Sequence, residues 1–197
     1  MGLFDKIFGK KEANKSINQI PSLPPPQDTK ELMDENQFWK IIEVSQSNSK
    51  GDYEKQQVEL ELELTKLVAL DILKFDNRFS KHRGDAYKWE LWGAAYIMNG
   101  GCSDDCFSDF RGWLIGKGKE AYYNALTNPE TLIEQKHDMD NDDWEGLSYV
   151  AMTAYEKKTE SQMPKGIQEN FEIIGNEWEE DDLRNKFPKL WSKWGFE

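Results

Sequence analysis

The side chains best suited to chemistry are gathered in one run, Asn99-Gly100-Gly101-Cys102-Ser103-Asp104-Asp105, with Trp92 before it and Arg111 and Trp113 after it. A tight glycine turn there would present a thiol, a hydroxyl and two carboxylates together. A thiol at a helix N-terminus has a lowered pKa, so Cys102 could act as a nucleophile or a redox sensor. Two adjacent carboxylates oppose that use, because they raise the pKa of a neighbouring thiol. They also repel phosphate, the usual ligand of a helix N-terminus, and leave a neutral or cationic ligand as the compatible class. The same residues satisfy the rules for a helix–helix corner: the glycines turn the chain, Ser103 caps the next helix, and Asp104 and Asp105 offset its dipole. Under that reading Arg111 pairs with one aspartate and Cys106 is a small core residue. The corner gives every residue a structural role, and the sequence favours it. The turn acting with Arg111 as an enzyme or small-molecule sensor site is the alternative.

Other chemistries fit less well. Asp138-Met139-Asp140-Asn141-Asp142-Asp143 begins like a calcium loop, but the position that needs glycine is Asp143 and the position that needs glutamate is Tyr149. A solvated acidic loop is the better description. The two histidines, His82 and His137, have no zinc-type spacing around them, and Cys102 and Cys106 fall short of four ligands. There is no P-loop, dinucleotide fingerprint or Gly-x-Ser-x-Gly elbow. No catalytic residue, metal or cofactor is assigned.

Charge points to the class of partner. The 197 residues carry 25 Lys+Arg against 37 Asp+Glu, a net of −12, which argues against nucleic acid as a partner. Acids cluster at Asp138, Asp140, Asp142, Asp143 and Glu145, and again at Glu177, Glu179, Glu180, Asp181 and Asp182; Trp144 and Trp178 sit among them. Charge runs are ordinarily solvated faces. Aromatics flanked by acids are also what a surface for a basic protein would contain, since Trp anchors contact and charge speeds encounter. A non-catalytic acidic binding module for a basic protein is therefore the expected function, with an immunity-type neutraliser as one concrete version.

These groups have to be positioned by helices. Eight Trp, seven Tyr and ten Phe can fill a core without metals or disulfides. Residues 1–33 hold five Lys and four acids, and the remainder carries a net of −13. Three regions follow: an amphipathic peptide (1–16), a Pro-rich linker (17–33) containing Pro24-Pro25-Pro26, and an acidic all-α domain (34–197). In the peptide, a helix would gather Leu3, Phe4, Ile7 and Phe8 on one side and leave Lys10 and Lys11 on another, a pattern suited to weak docking on a membrane interface or a partner. With two cysteines, no apolar span and no cleavable leader, the expected setting is reducing and cytoplasmic, with peripheral contact at the inner membrane face.

Within the body, Asp34 caps a helix over residues 35–48. Val58-Glu59-Leu60-Glu61-Leu62-Glu63-Leu64 alternates like a strand, but its Glu and Leu favour helix and the apolar run continues to Phe75, so one long helix is expected. Gly84 should break it and Asp85 should cap a central helix, Ala86–Met98. After the glycine turn, a helix capped by Ser103 places Phe107, Phe110 and Leu114 inward. Shorter pieces follow at Lys119–Leu126 and Pro129–Ile133, then a helix Trp144–Lys157 capped by Asp143. A last helical region carries Leu183, Phe187, Leu190, Trp191 and Trp194.

The combination of Phe38-Trp39, the run Trp92 to Asp105, Phe110-Arg111-Gly112-Trp113-Leu114-Ile115, Ala154-Tyr155-Glu156-Lys157-Lys158-Thr159 and Phe187-Pro188-Lys189-Leu190-Trp191 resembles an uncharacterised bacterial domain-of-unknown-function family of short acidic all-helical proteins. The likeness spans roughly residues 34–195, and Gly-Gly-Cys-Ser-Asp-Asp is its most specific part. It implies an all-helical fold and carries no established activity.

Overall fold

The computed structural model describes residues 29–137, 145–167 and 172–196. Among them the fold is all-α, and the only β-type pairing is an isolated bridge between Lys88 and Ile174.

Helix α1 (Glu35–Ser49) begins where Asp34 Oδ1 accepts the Gln37 amide at 3.0 Å, and it buries Phe38, Trp39 and Ile42. It stops at Lys50 and Gly51, both at positive φ (55° and 88°), which turn the chain back into α2 (Tyr53–Thr65). Asp52 caps α2 by accepting the Lys55 amide. The alternating run lies on this helix, and helical geometry divides it. Leu60 and Leu64 are fully buried, whereas Val58 and Leu62, on the far side of a 100° wheel, are 58% and 51% exposed.

The single long helix expected across residues 58–75 is broken. Lys66 and Leu67 form a turn, Val68 is extended (φ −73°, ψ 154°), and α3 (Ala69–Asp85) starts afresh. No glycine or proline marks that break; Val68 is β-branched, which costs it little in an extended conformation. Gly84, expected as a breaker, lies inside α3, and Asp85 is its last residue rather than a cap. Helix α4 (Trp89–Met98) follows Lys88 with no side-chain cap. A distant segment serves its N-terminus instead: the Trp89 amide donates to Ile174 O and the Ile174 amide to Tyr87 O, both at 3.0 Å.

Helix α5 (Asp104–Gly116) runs through the middle and buries Phe107, Phe110 and every residue from Arg111 to Gly116. Helix α6 (Lys119–Thr127) closes over α5 with Tyr122 and Ala125, and a 3₁₀ turn at Pro129–Glu134 follows. A second 3₁₀ turn (Gly146–Tyr149) leads into α7 (Val150–Thr159), which lies against α2 and α3. The expected cap Asp143 and the start at Trp144 fall outside the described residues. The last helical region is two short helices, α8 (Glu180–Lys186) and α9 (Pro188–Trp194), divided at Phe187-Pro188. Their Leu183, Phe187 and Leu190 are buried against the body, and Gly93 permits the approach: a Cβ there would lie 2.9 Å from Leu183 Cδ2 and from Phe187 Cε2.

The entering chain is fastened by α3. The fully buried Asn77 donates through Nδ2 to Thr29 O (2.8 Å) and Glu31 O (3.0 Å), and its Oδ1 accepts the Ile167 amide at 2.8 Å. Met33 is buried, with its amide on Lys74 O and its carbonyl accepting Arg78 Nε.

Candidate functional site

At the glycine turn, Gly100 takes φ 61° and Gly101 φ 125°. The Gly101 amide donates to Tyr96 O at 2.8 Å and the Gly100 amide reaches Ile97 O at 3.5 Å. This pair of bonds is a Schellman closure, which satisfies the last carbonyls of α4 and requires the left-handed conformation that glycine adopts without cost. Two residues on, Ser103 Oγ accepts the Cys106 amide at 3.2 Å and caps α5. Asp104 and Asp105 lie exposed in the first turn, where negative charge favours the helix dipole. Trp92 donates through its indole N–H to Cys102 O at 2.9 Å, tying α4 to the turn.

The thiols differ from their expected form. Cys102 and Cys106 are joined as a disulfide, with their Cα atoms 5.3 Å apart, so neither sulfur is a free nucleophile and neither is a plain core residue. The crosslink links the residue before the cap to the third residue of α5, and Asn99 Nδ2 points at the Cys106 sulfur from 3.5 Å.

Arg111 departs most from expectation. It pairs with neither Asp104 nor Asp105: it is only 4% exposed and lies nearly two turns further along α5 than Asp104. Its guanidinium donates to Arg83 O at 2.9 Å and packs over the Tyr87 and Phe107 rings at 4.7 and 5.4 Å. It therefore bridges α3, α4's approach and α5. Trp113 also lies away from the turn. It is buried among Phe110, His137 and the Lys117 ammonium, with its ring 4.6 Å from Lys117 Nζ. The turn thus brings together Trp92, Asn99, Gly100, Gly101, Cys102 and Ser103, and leaves Arg111 and Trp113 elsewhere.

Of the acidic surface, Asp138, Asp140, Asp142, Asp143 and Trp144 lie outside the described residues, as do Leu3, Phe4, Ile7, Phe8, Lys10 and Lys11. The second cluster is on view. Glu177, Glu179, Glu180, Asp181 and Asp182 are all exposed around the start of α8, and none forms an ion pair among the described residues. Trp178 is not the projecting anchor its neighbours suggested. It is half-buried, donates its indole N–H to Trp89 O at 2.8 Å, and packs on Trp89 and Tyr96. Tyr96 donates its hydroxyl to Glu180 Oε2 at 2.8 Å, which raises the Tyr96 pKa. The acids therefore stand on a floor of fixed rings, with Tyr96 and Phe196 5.8 Å apart beside them.

A further cluster had no spacing signal. His82, near the end of α3, is 3% exposed, and neither ring nitrogen has a hydrogen-bond partner among the described residues. Trp39, Phe38 and Tyr122 surround it at ring-centroid distances of 4.9, 5.2 and 5.2 Å. Burial pushes its pKa down to about 4, so the ring is neutral at pH 7. Helical spacing could place Phe38-Trp39 and Tyr122-Tyr123 inward, but nothing in the sequence shows that they converge on a histidine from a third helix.

Among the described residues no three His, Cys, Asp or Glu side chains are placed to hold a metal ion, and no helix is long and apolar enough to cross a membrane. Residues 33–157 match the model of the family described as Protein of unknown function (DUF4240), and the chain belongs to that family. No curated protein and no solved structure matches the chain.

Proposed function

From the geometry of α8, we propose that the chain is a non-catalytic binding module that engages a basic protein through the carboxylates Glu177, Glu179, Glu180, Asp181 and Asp182. The observation that supports it is their placement. Five exposed acids, without an ion pair among the described residues, stand on a helix end fixed to the core by Leu183, Phe187 and Trp178. A preformed array of this kind lowers the ordering cost of association and steers an oppositely charged partner. A basic toxin held inactive by this surface is one concrete partner of that chemistry. The glycine corner, by contrast, spends the Gly100 and Gly101 amides, the Ser103 hydroxyl and the Trp92 indole N–H on its own helices.

The test compares partner capture by the native chain, by Glu179→Lys/Glu180→Lys/Asp181→Lys/Asp182→Lys, and by Asp104→Lys/Asp105→Lys. The α8 variant loses the partner, the corner variant keeps it, and capture by the native chain weakens with salt. Equal capture by the native chain and the α8 variant refutes the reading. The proposed setting is the cytoplasm, where reducing conditions would hold Cys102 and Cys106 as thiols rather than as the crosslink of this structure, with residues 2–11 giving weak contact with an anionic membrane. Flotation with anionic liposomes should carry the full chain and leave a chain starting at Met33; identical behaviour removes the membrane contact.

A further inference from the structure

His82 is held where a charged ring has no hydrogen-bond acceptor. Its ring fills the seam between α1, which supplies Phe38 and Trp39, and α6, which supplies Tyr122 and Tyr123; the Tyr123 ring centroid is 6.3 Å away. Helix α6 is fastened here by two hydroxyls. Tyr122 donates to the His82 carbonyl at 2.7 Å, and Tyr123 donates to Glu35 Oε1 at 2.5 Å at the rim of the seam. We propose that His82 is a proton-operated latch: when its ring takes up a proton, helix α6 is released from the seam between α1 and α3.

The charged groups around the ring set the balance. Glu35 on α1 and Asp85 on α3 favour the imidazolium, while Arg78 and Lys81 on α3 oppose it; α6 contributes only the Tyr122 and Tyr123 hydroxyls. Burial outweighs all of them and favours the neutral ring. Protonation inside the closed seam leaves two N–H donors without acceptors in an aromatic box. Moving α6, a nine-residue helix, away hydrates them. Glu35 stays ionised throughout this range, because the bond from Tyr123 holds its carboxyl below the ordinary value.

A ring that titrates near 6.5 when hydrated and near 4 when enclosed ties opening to pH. Between pH 7.5 and pH 5 the opening equilibrium of α6 rises roughly 30-fold. Hydrogen exchange of the full chain, corrected for the intrinsic pH dependence of exchange, measures this directly. Amides of residues 119–127 should lose protection on acidification while those of α5 keep theirs, and His82→Phe, which fills the box without titrating, should remove the response. Equal loss of protection in α5, or an unchanged acid response in His82→Phe, overturns the latch. Should His82→Phe fail to fold, the native histidine resonances decide. A ring in the folded protein that titrates near 6.5 with α6 protection unaltered is the contradicting result, and a midpoint below 5 accompanied by α6 opening is the supporting one.

Discussion

Gly93→Ala adds one methyl group where α8 crosses α4. An added Cβ would lie 2.9 Å from Leu183 Cδ2, 2.9 Å from Phe187 Cε2 and 3.2 Å from Trp178 Nε1. Carbon pairs are comfortable at ~3.5–4.0 Å, so α8 must retreat by more than half an ångström. Leu183 and Phe187 are 0% and 4% exposed, so neither can swing aside without leaving the core. Overpacking of this kind costs about 1–3 kcal/mol. Alanine in place of a helical glycine returns about 0.8–1 kcal/mol through propensity. The net expectation is a loss of about 1 kcal/mol, concentrated in α8 and α9. Urea unfolding followed by tryptophan emission gives the total, and hydrogen exchange gives the location. The loss should appear with an unchanged m-value, with faster exchange in residues 180–194, and with weaker capture of a basic partner because the carboxylates move with their helix. If Gly93→Ala instead stabilises the protein by about 1 kcal/mol, as propensity alone would give, the close approach of α8 to α4 is wrong.

Two further expectations concern Arg111 and the crosslink at the corner. Arg111→Ala removes a buried guanidinium, its bond to Arg83 O and its packing on Tyr87 and Phe107, and should cost about 3–5 kcal/mol in chemical denaturation; a change under about 0.5 kcal/mol would mean that the arginine serves something other than the fold. Reduction of the Cys102–Cys106 crosslink opens a very short loop and should cost about 2 kcal/mol on the chain-entropy account, whereas an identical midpoint with and without reductant would show that the crosslink does not support α5.

Local rules reached the caps and the turn, but not the Cys102–Cys106 crosslink. Asp34 and Ser103 cap as their side-chain oxygens dictate, and Gly100-Gly101 makes the turn that a helix C-terminus wants. Contacts between distant segments were not legible. Asp85 had the chemistry of a cap, yet α3 runs through it, because Ile174 supplies the acceptor for the start of α4 from nearly ninety residues away. Arg111 follows Asp104 by seven residues, nearly two turns further along α5, and there its guanidinium meets Arg83 O and the Tyr87 and Phe107 rings rather than the aspartates. Trp178 reads as an exposed aromatic among acids until Trp89 and Tyr96 occupy its faces. The alternating segment misleads for a related reason: helix-forming Glu and Leu set its type, and two of its four apolar residues then face solvent.

Site-specific photocrosslinking in living cells tests the central claim most directly, with the reactive side chain placed at Asp182 in one chain and at Asp104 in another. Recognition by the acids of α8 predicts a discrete adduct with a basic protein from position 182 and none from position 104. Adducts that form from position 104 alone would transfer recognition to the glycine corner and contradict the account.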